Sequence, residues 1–248
     1  MIIDSHTHLM PHYGWRKGLD IHDHMKLLWD SGVDKAVLFT IEGFHTDYES
    51  HNQEIFEAYK IYPESVIPFC TINPRDPDAL EELKRCHKLG MKGIKFHPWL
   101  QAFPIVDDII MPIVEEAAKL DMPIISHDGT PPYCTSLQVA YLAYCFPRAK
   151  IILGHAGMKD FAYEAYCAAK RYENVYLGFC GSAFQIMKEA VSDIGPERCL
   201  FGTDSPFAGK EYIAYETKKI KMLGLPNQDE ENIFGGNIAR LLNIKYDS

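Results

Sequence analysis

The chain has 248 residues, 47% apolar and 24% charged, with a net charge of −9. That composition excludes intrinsic disorder, and a chain of this length buries a core without disulfide or metal staples. The negative balance opposes nucleic acid and anionic membrane as partners, and no apolar run reaches the roughly 18–20 residues of a membrane span.

Short apolar runs recur over 2–6, 35–40, 66–71 and 93–97, then over 123–127, 151–155, 175–179 and 199–204. Each predicts a strand. They start roughly 25–30 residues apart, and most are continuous apolar runs, as parallel strands covered on both faces require. Helical periodicity fills the gaps. It runs over 24–31 with Met25, Leu28 and Trp29 before Gly32, over 78–89 with Leu80, Leu83 and Cys86 before Gly90, and over 112–120 behind Pro112. Later helices are predicted over 159–171, 183–194 and 210–223, with Gly195 and Gly224 at two exits. A last helix over 229–242 is expected to pack Ile233, Ile238, Leu241 and Leu242 on the outside.

Strand alternating with helix in this way predicts an α/β fold, a (β/α)8 TIM barrel, as a single domain over residues 1–248. A doubly wound open sheet is the alternative. Against it, the first strand leads into His6-Thr7-His8, where a nucleotide-binding crossover needs a glycine-rich turn. The seven cysteines are scattered and form no CxxC pair, and no basic-then-apolar leader opens the sequence. Reduced thiols and a cytoplasmic location are expected.

Ionisable residues fall at the C-terminal ends of the predicted strands: His6 and His8 on the first, Lys95 and His97 on the fourth, His127 on the fifth, His155 on the sixth and Asp204 on the eighth. A barrel brings those ends to one mouth, where such folds place their chemistry. Imidazoles with a carboxylate suit a borderline divalent cation such as zinc. On an extended backbone residues two apart point the same way, so His6 and His8 reach one ion. Each residue alone also has a plainer role: a core histidine, a helix cap at Asp204, an ion-paired lysine at 95. Their shared position favours the joint reading. His97 is either a substrate contact or a more distant supporting residue. The other histidines (12, 22, 24, 45, 51 and 87) carry no expected role. His12 and His45 alone among them sit in loops expected to follow strands.

Further stretches complete a pattern: Asp4-Ser5-His6-Thr7-His8, Gly93-Ile94-Lys95-Phe96-His97-Pro98, Ile125-Ser126-His127 and Gly154-His155-Ala156-Gly157, followed by Gly202-Thr203-Asp204-Ser205-Pro206-Phe207 and Gly235-Gly236-Asn237. Together they resemble the metal-dependent amidohydrolase superfamily, in particular the amidohydrolase-2 branch that includes aminocarboxymuconate-semialdehyde decarboxylase and several hydrolases. The resemblance implies a distorted (β/α)8 barrel with a cation on His6, His8, His127 and Asp204. It implies His155 as a catalytic or second-cation residue. It also implies a second cation if Lys95 is carboxylated and bridges the pair. Zinc is expected ahead of manganese, one ion ahead of two, and a homodimer is a common state of such proteins.

The expected activity is hydrolysis of an ester, lactone or amide in a small carboxylated or cyclic substrate by metal-activated water, with Asp204 as proton acceptor and His155 polarising the carbonyl. The alternative is a metal-dependent nonoxidative decarboxylase of a small ring or enol carboxylate, which uses nearly the same parts. A ligand-binding barrel without catalysis is disfavoured by the complete histidine set. A deoxyribonuclease is disfavoured by the charge and by the lack of a carboxylate at the third or fourth strand. Specificity is expected from loops carrying Tyr13, Trp15, Arg16, Lys17, Phe44, His45, Asn73, Arg75, Trp99, Phe103, Cys180 and Ser182, with Arg16 as carboxylate anchor and His97, Trp99 and Asn73 as further substrate contacts.

Overall fold

A computed structural model of the chain describes residues 1–14 and 16–246, so Trp15 lies outside the described residues. The elements are β1 (Ile3–Tyr13), β2 (Arg16–Leu19), α1 (Ile21–Asp30), β3 (Lys35–Thr40), α2 (Tyr48–Ile61), β4 (Val66–Cys70), α3 (Ala79–Lys88), β5 (Gly93–Phe96), α4 (Met111–Lys119) and β6 (Ile124–Ser126). They continue with α5 (Ser136–Cys145), β7 (Ile151–Leu153), α6 (Ala162–Arg171), β8 (Val175–Phe179), α7 (Phe184–Asp193), β9 (Cys199–Phe201), α8 (Gly209–Lys221), α9 (Asn227–Glu231) and α10 (Asn237–Leu241). From β1 through β3 to β9 every neighbouring pair is parallel and in chain order. The fold is the (β/α)8 barrel that the strand spacing predicts.

The ring closes where first and last strands meet. Thr7 and Ser205 form an isolated parallel bridge, His8 N–H donates to the Ser205 carbonyl (2.8 Å), and Asp204 N–H donates to the His6 carbonyl (2.9 Å). The interior is filled by Ile3, Val37, Phe39, Ile67, Phe69, Ile125, Ile152 and Leu200, while alternate residues of the same strands pack outward against the helices.

Three expectations are corrected. The segment read as a first loop is mostly strand: β1 runs on to Tyr13 and turns back into β2, with His12 opposite Lys17. Its polar sequence hides the hairpin, because both arms are exposed at the rim. Two helices escape the periodicity reading. In α2 the chain is polar, with Tyr48, Asn52, Ile55 and Ala58 buried. In α5, capped by Thr135 and Gln138 in a reciprocal box, apolar Leu137, Tyr141 and Tyr144 face outward and blur the stripe.

The tail is the third. The predicted single helix over 229–242 is α9, a π-turn over Asn232–Gly236 and α10. Of its apolar residues, Ile233 packs in the outer layer between strands and helices, and the other three do not. Ile238, Leu241 and Leu242 are buried in the same cluster as the interior residues Ile3, Val37 and Leu200, so the tail plugs the floor of the barrel. Asn237 secures it, its Nδ2 donating to the carbonyls of Pro196 (2.7 Å) and Cys199 (2.8 Å) just where β9 starts. Gly235 lies there too: a Cβ would stand 3.0 Å from the Met1 carbonyl oxygen and 3.2 Å from Ile3 Cγ1.

Among the described residues no helix is long and apolar enough to cross a membrane, and all seven cysteines are free thiols. Because Ile238 is 1% exposed, Ile238→Ala is expected to lower unfolding stability by about 2–5 kcal/mol. Denaturant titration would read this as an earlier midpoint with little change in slope.

Candidate active site

A single extra residue in β1 aims both imidazoles inward. Asp4 pairs with Ala36 and Thr7 with Leu38, so three steps on β1 match two on β3. Ile3 faces the interior. Strict alternation would then send Ser5 and Thr7 inward and turn His6 and His8 out. The bulge reverses the parity, and His8 lands opposite interior Phe39. Lys95 enters from β5 between the outward residues Ile94 and Phe96. It is fully buried and lies 4.9 Å above the Phe39 ring. Asp204 follows β9 in the left-handed region at φ 60°, a conformation aspartate tolerates better than most side chains.

Two buried carboxylates set the backbone around these groups. Asp4 Oδ1 accepts from His6 N–H (2.9 Å) and Thr203 N–H (3.1 Å), and its Oδ2 accepts from Thr203 Oγ1 (2.5 Å). Asp128 does the same on the other side, accepting from His155 N–H (2.8 Å), Gly157 N–H (2.6 Å) and Ser136 Oγ (3.1 Å). Asp128 was missed in the sequence, although it directly follows His127 at a strand end. Burial raises both carboxyls, Asp4 to about 7, against the hydrogen bonds that lower them.

The structure gathers His6, His8 and Asp204. Their ligand atoms lie within 4.8 Å of one another, with His8 Nε2 at 3.0 Å and His6 Nε2 at 3.4 Å from Asp204 Oδ1. Burial holds both histidines below their ordinary pKa, His6 far below. Burial pushes Asp204 up, but the hydrogen bond from His8, with the electrostatic pull of His8, His155 and Lys95, outweighs it and keeps the carboxyl low. Two neutral imidazoles and a carboxylate are the donor forms a divalent cation requires, so this set fits one. Lys95 Nζ stands 3.0 Å from His6 Nε2, its pKa lowered to about 8 mainly by burial.

His127 does not join this group. Its Nδ1 contacts His155 Nε2 at 2.9 Å, and its ring stacks on His97 at 3.8 Å and 13°. His155 Nδ1 lies 3.1 Å from the Cys180 carbonyl, which only accepts, so Nδ1 carries the proton. His155 Nε2 is then the acceptor and His127 Nδ1 the donor, which fixes both tautomers in the neutral rings. Burial, with His155 beside it, holds His127 well down, and burial with Lys95 holds His97 down to about 2.

The mouth is a cavity of about 370 Å³ lined by His8, His97, His127, Asp204, Trp99 and Phe207 among others. Phe207, 5.3 Å from the His8 ring, was not foreseen as a wall. An adjoining cavity of about 590 Å³ shares Tyr13 and Ile41 with it and carries Arg16 and His45. Several expected rim residues stand elsewhere. Asn73 is not in the mouth lining; its Oδ1 accepts from Arg75 N–H within a turn. The Arg75 guanidinium donates to the carbonyls of Gln101 and Ala102. Phe103 is buried against Phe96. Ser182 is buried, its Oγ donating to the His155 carbonyl.

His24 also departs from expectation. It is completely buried on α1 and its Nε2 lies 3.1 Å from Ser205 Oγ, behind Asp204. Only the fold brings α1 against the barrel's closing strand.

The amidohydrolase family model (Amidohydro_2) matches residues 3–244. Gamma-resorcylate decarboxylase from Rhizobium sp. (strain MTP-10005) is 26% identical, over 78% of this chain and 75% of that protein. Among solved structures, 5-carboxyvanillate decarboxylase from Sphingomonas paucimobilis superposes with a TM-score of 0.78 at 16% identity, covering 98% of this chain and 99% of that one. Dihydroxybenzoic acid decarboxylase from Polaromonas sp. JS666, with bound manganese and the inhibitor 2-nitroresorcinol, superposes at 0.75 and 21% identity, covering 98% and 96%.

Burial, with His8 beside it, lowers the His24 pKa from 6.5 to about 4. The unfolded chain therefore takes up this proton first as pH falls. The stability is intact above pH 6.5 and drains away as pH drops through about 4, by about 3 kcal/mol in all for this one group. His24→Gln is expected to flatten that part of the acid limb, measured as denaturation midpoints across the pH range.

Proposed function

The chain belongs to the amidohydrolase family, and from that premise we propose that it is a cation-dependent, nonoxidative decarboxylase of a small ring carboxylate. The observation that carries this choice is the similarity, over most of both chains, to gamma-resorcylate decarboxylase. It moves the preference from hydrolysis, the activity expected from the sequence, to decarboxylation, a choice that the histidine pattern alone does not make. The mouth supports it: the stacked His97–His127 pair, with Phe44 at 5.5 Å from His97, offers aromatic surface for a ring. Trp99 and Phe207 line the same cavity, and Arg16 is the cation best placed on the adjoining one to draw in an anionic substrate.

His6, His8 and Asp204 would hold the cation, either zinc or manganese, with His127 and His155 beside them. When bound, a divalent cation supplies Lewis-acid stabilisation of negative charge on the substrate's oxygens. In the reaction the bond between ring carbon and carboxyl carbon breaks, its electron pair stays on the ring carbon, carbon dioxide leaves and that carbon takes a proton. Asp204 is the proton carrier. In the free protein His8 keeps it ionised, and an entering carboxylate is a like charge that raises its pKa. The side chain is 33% exposed towards the mouth, so it takes a proton from solvent and presents it to the ring. His155, its Nδ1 fixed on the Cys180 carbonyl, holds His127 at the orientation in which it stacks with His97. We read Lys95, whose Nζ stands 3.0 Å from His6 Nε2, as a free amine and the centre as a one-cation centre.

Asp204→Asn keeps the left-handed backbone and removes the proton carrier. It is expected to cut the rate of carbon dioxide release by about 10²–10⁴-fold, with a circular dichroism spectrum like that of the parent. Acid release from esters or lactones, with no carbon dioxide from ring carboxylates, would return the assignment to the hydrolase reading. Chelation is expected to abolish activity and manganese or zinc to restore it. Elemental analysis should give one manganese per chain whether or not bicarbonate is present; a second ion that appears only with bicarbonate would identify Lys95 as carboxylated.

A further inference from the structure

Five of the seven cysteines are fully buried, and four of these have a polar neighbour at the sulfur. Cys70 and Cys199 lie on carbonyls, Cys86 on Glu82 and Cys134 on Ser126, at 3.2–3.5 Å. Cys180, 1% exposed at the end of β8, has no hydrogen-bond partner at Sγ among the described residues. Its sulfur instead shares a space with two imidazoles: the ligand atoms of His6, His155 and Cys180 all lie within 4.8 Å of one another. The close approach depends on Gly202. A Cβ there would stand 2.9 Å from His6 Cβ and 3.3 Å from Cys180 Cβ, too near for any larger residue without displacing one of them.

We propose that His6, His155 and Cys180 form a second cation site, selective for thiophilic ions of the zinc and cadmium class. It stands beside the His6–His8–Asp204 group and is joined to it through His6. The donor chemistry separates the two. A carboxylate with two imidazoles accepts manganese or zinc, whereas a thiolate with two imidazoles prefers softer ions. Bonds of about 2.3 Å to sulfur and 2.0–2.1 Å to nitrogen put the donors round one zinc roughly 3.5 Å apart, within side-chain rotation of the present spacing. On binding, the thiol proton leaves to solvent as the bond from Sγ to the ion forms. Both imidazoles are already neutral and keep their one N–H, so no other proton moves; the ion takes the place of the His127 N–H at His155 Nε2, and His6, with one lone pair, serves one ion at a time. The assignment does not rest on the decarboxylase reading and is measured without turnover.

The test uses the full chain with the two less buried thiols removed (Cys145→Ser and Cys167→Ser), stripped of metal and titrated with cadmium. The expected result is an ultraviolet thiolate-to-cadmium charge-transfer band that saturates at one bound thiolate per chain, together with a cadmium NMR resonance in the range of one sulfur ligand with nitrogen ligands. Adding Cys180→Ser should abolish the band while cadmium still binds at the carboxylate-containing group. No band in the parent, or a band that survives Cys180→Ser, overturns the proposal. Should Cys180→Ser fold poorly, the cadmium resonance of the parent decides alone: a shift with only nitrogen and oxygen ligands overturns it.

Discussion

The barrel is closed by the same few residues that build its active mouth. His6 and His8 accept and donate across the seam to Asp204 and Ser205 through their backbones, while their side chains converge on the Asp204 carboxylate. Donor convergence is therefore a by-product of ring closure. A strand register one residue out on either side of the seam would break the closing bonds and scatter the imidazoles together. The bulge in β1 is the device that makes the two demands compatible: it lets Ile3 fill the floor while His6 and His8 face the same interior three and five residues later.

Around that seam the protein relies on buried carboxylates rather than cations. Asp4 and Asp128 each bind the backbone N–H of a key histidine and a neighbouring loop, so two loops are held without a charged partner. Isolated charges are expensive in such places, and burial answers by raising both carboxyl pKa values. The imidazoles respond in the opposite sense and stay neutral. The centre is thus a concentrated set of lone pairs with little net charge, and it is receptive to a cation for that reason.

Much of this was legible in the residues. The apolar runs and their spacing specify parallel strands, and a polar residue ending such a run has little to do except face the mouth. That logic locates His6, His8, Lys95, His97, His127, His155 and Asp204. It fails where the physics is not periodic. The β1–β2 hairpin is polar because it is a rim element. The outward face of α5 is aromatic, and the tail's apolar residues look like those of an outer helix until the barrel offers them an open end. Asp128 and His24 owe their roles to contacts between distant segments, which spacing does not encode. Nor do the mouth residues separate hydrolysis from decarboxylation, since both reactions ask the same carboxylate to move a proton.

The floor plug also bears on how the protein is made. Ile238 and Leu242 close the end of the barrel against Ile3, and Tyr246 donates its hydroxyl to the Met1 carbonyl (2.9 Å). Strand β1 thus waits for residues up to 245 positions further along the chain before its neighbourhood is complete. Until then the inner faces of the early strands stand open to other nascent or misfolded chains. Contacts of such long range also slow folding. Synthesis of this fold therefore carries a window of vulnerability that only the arrival of the tail shuts.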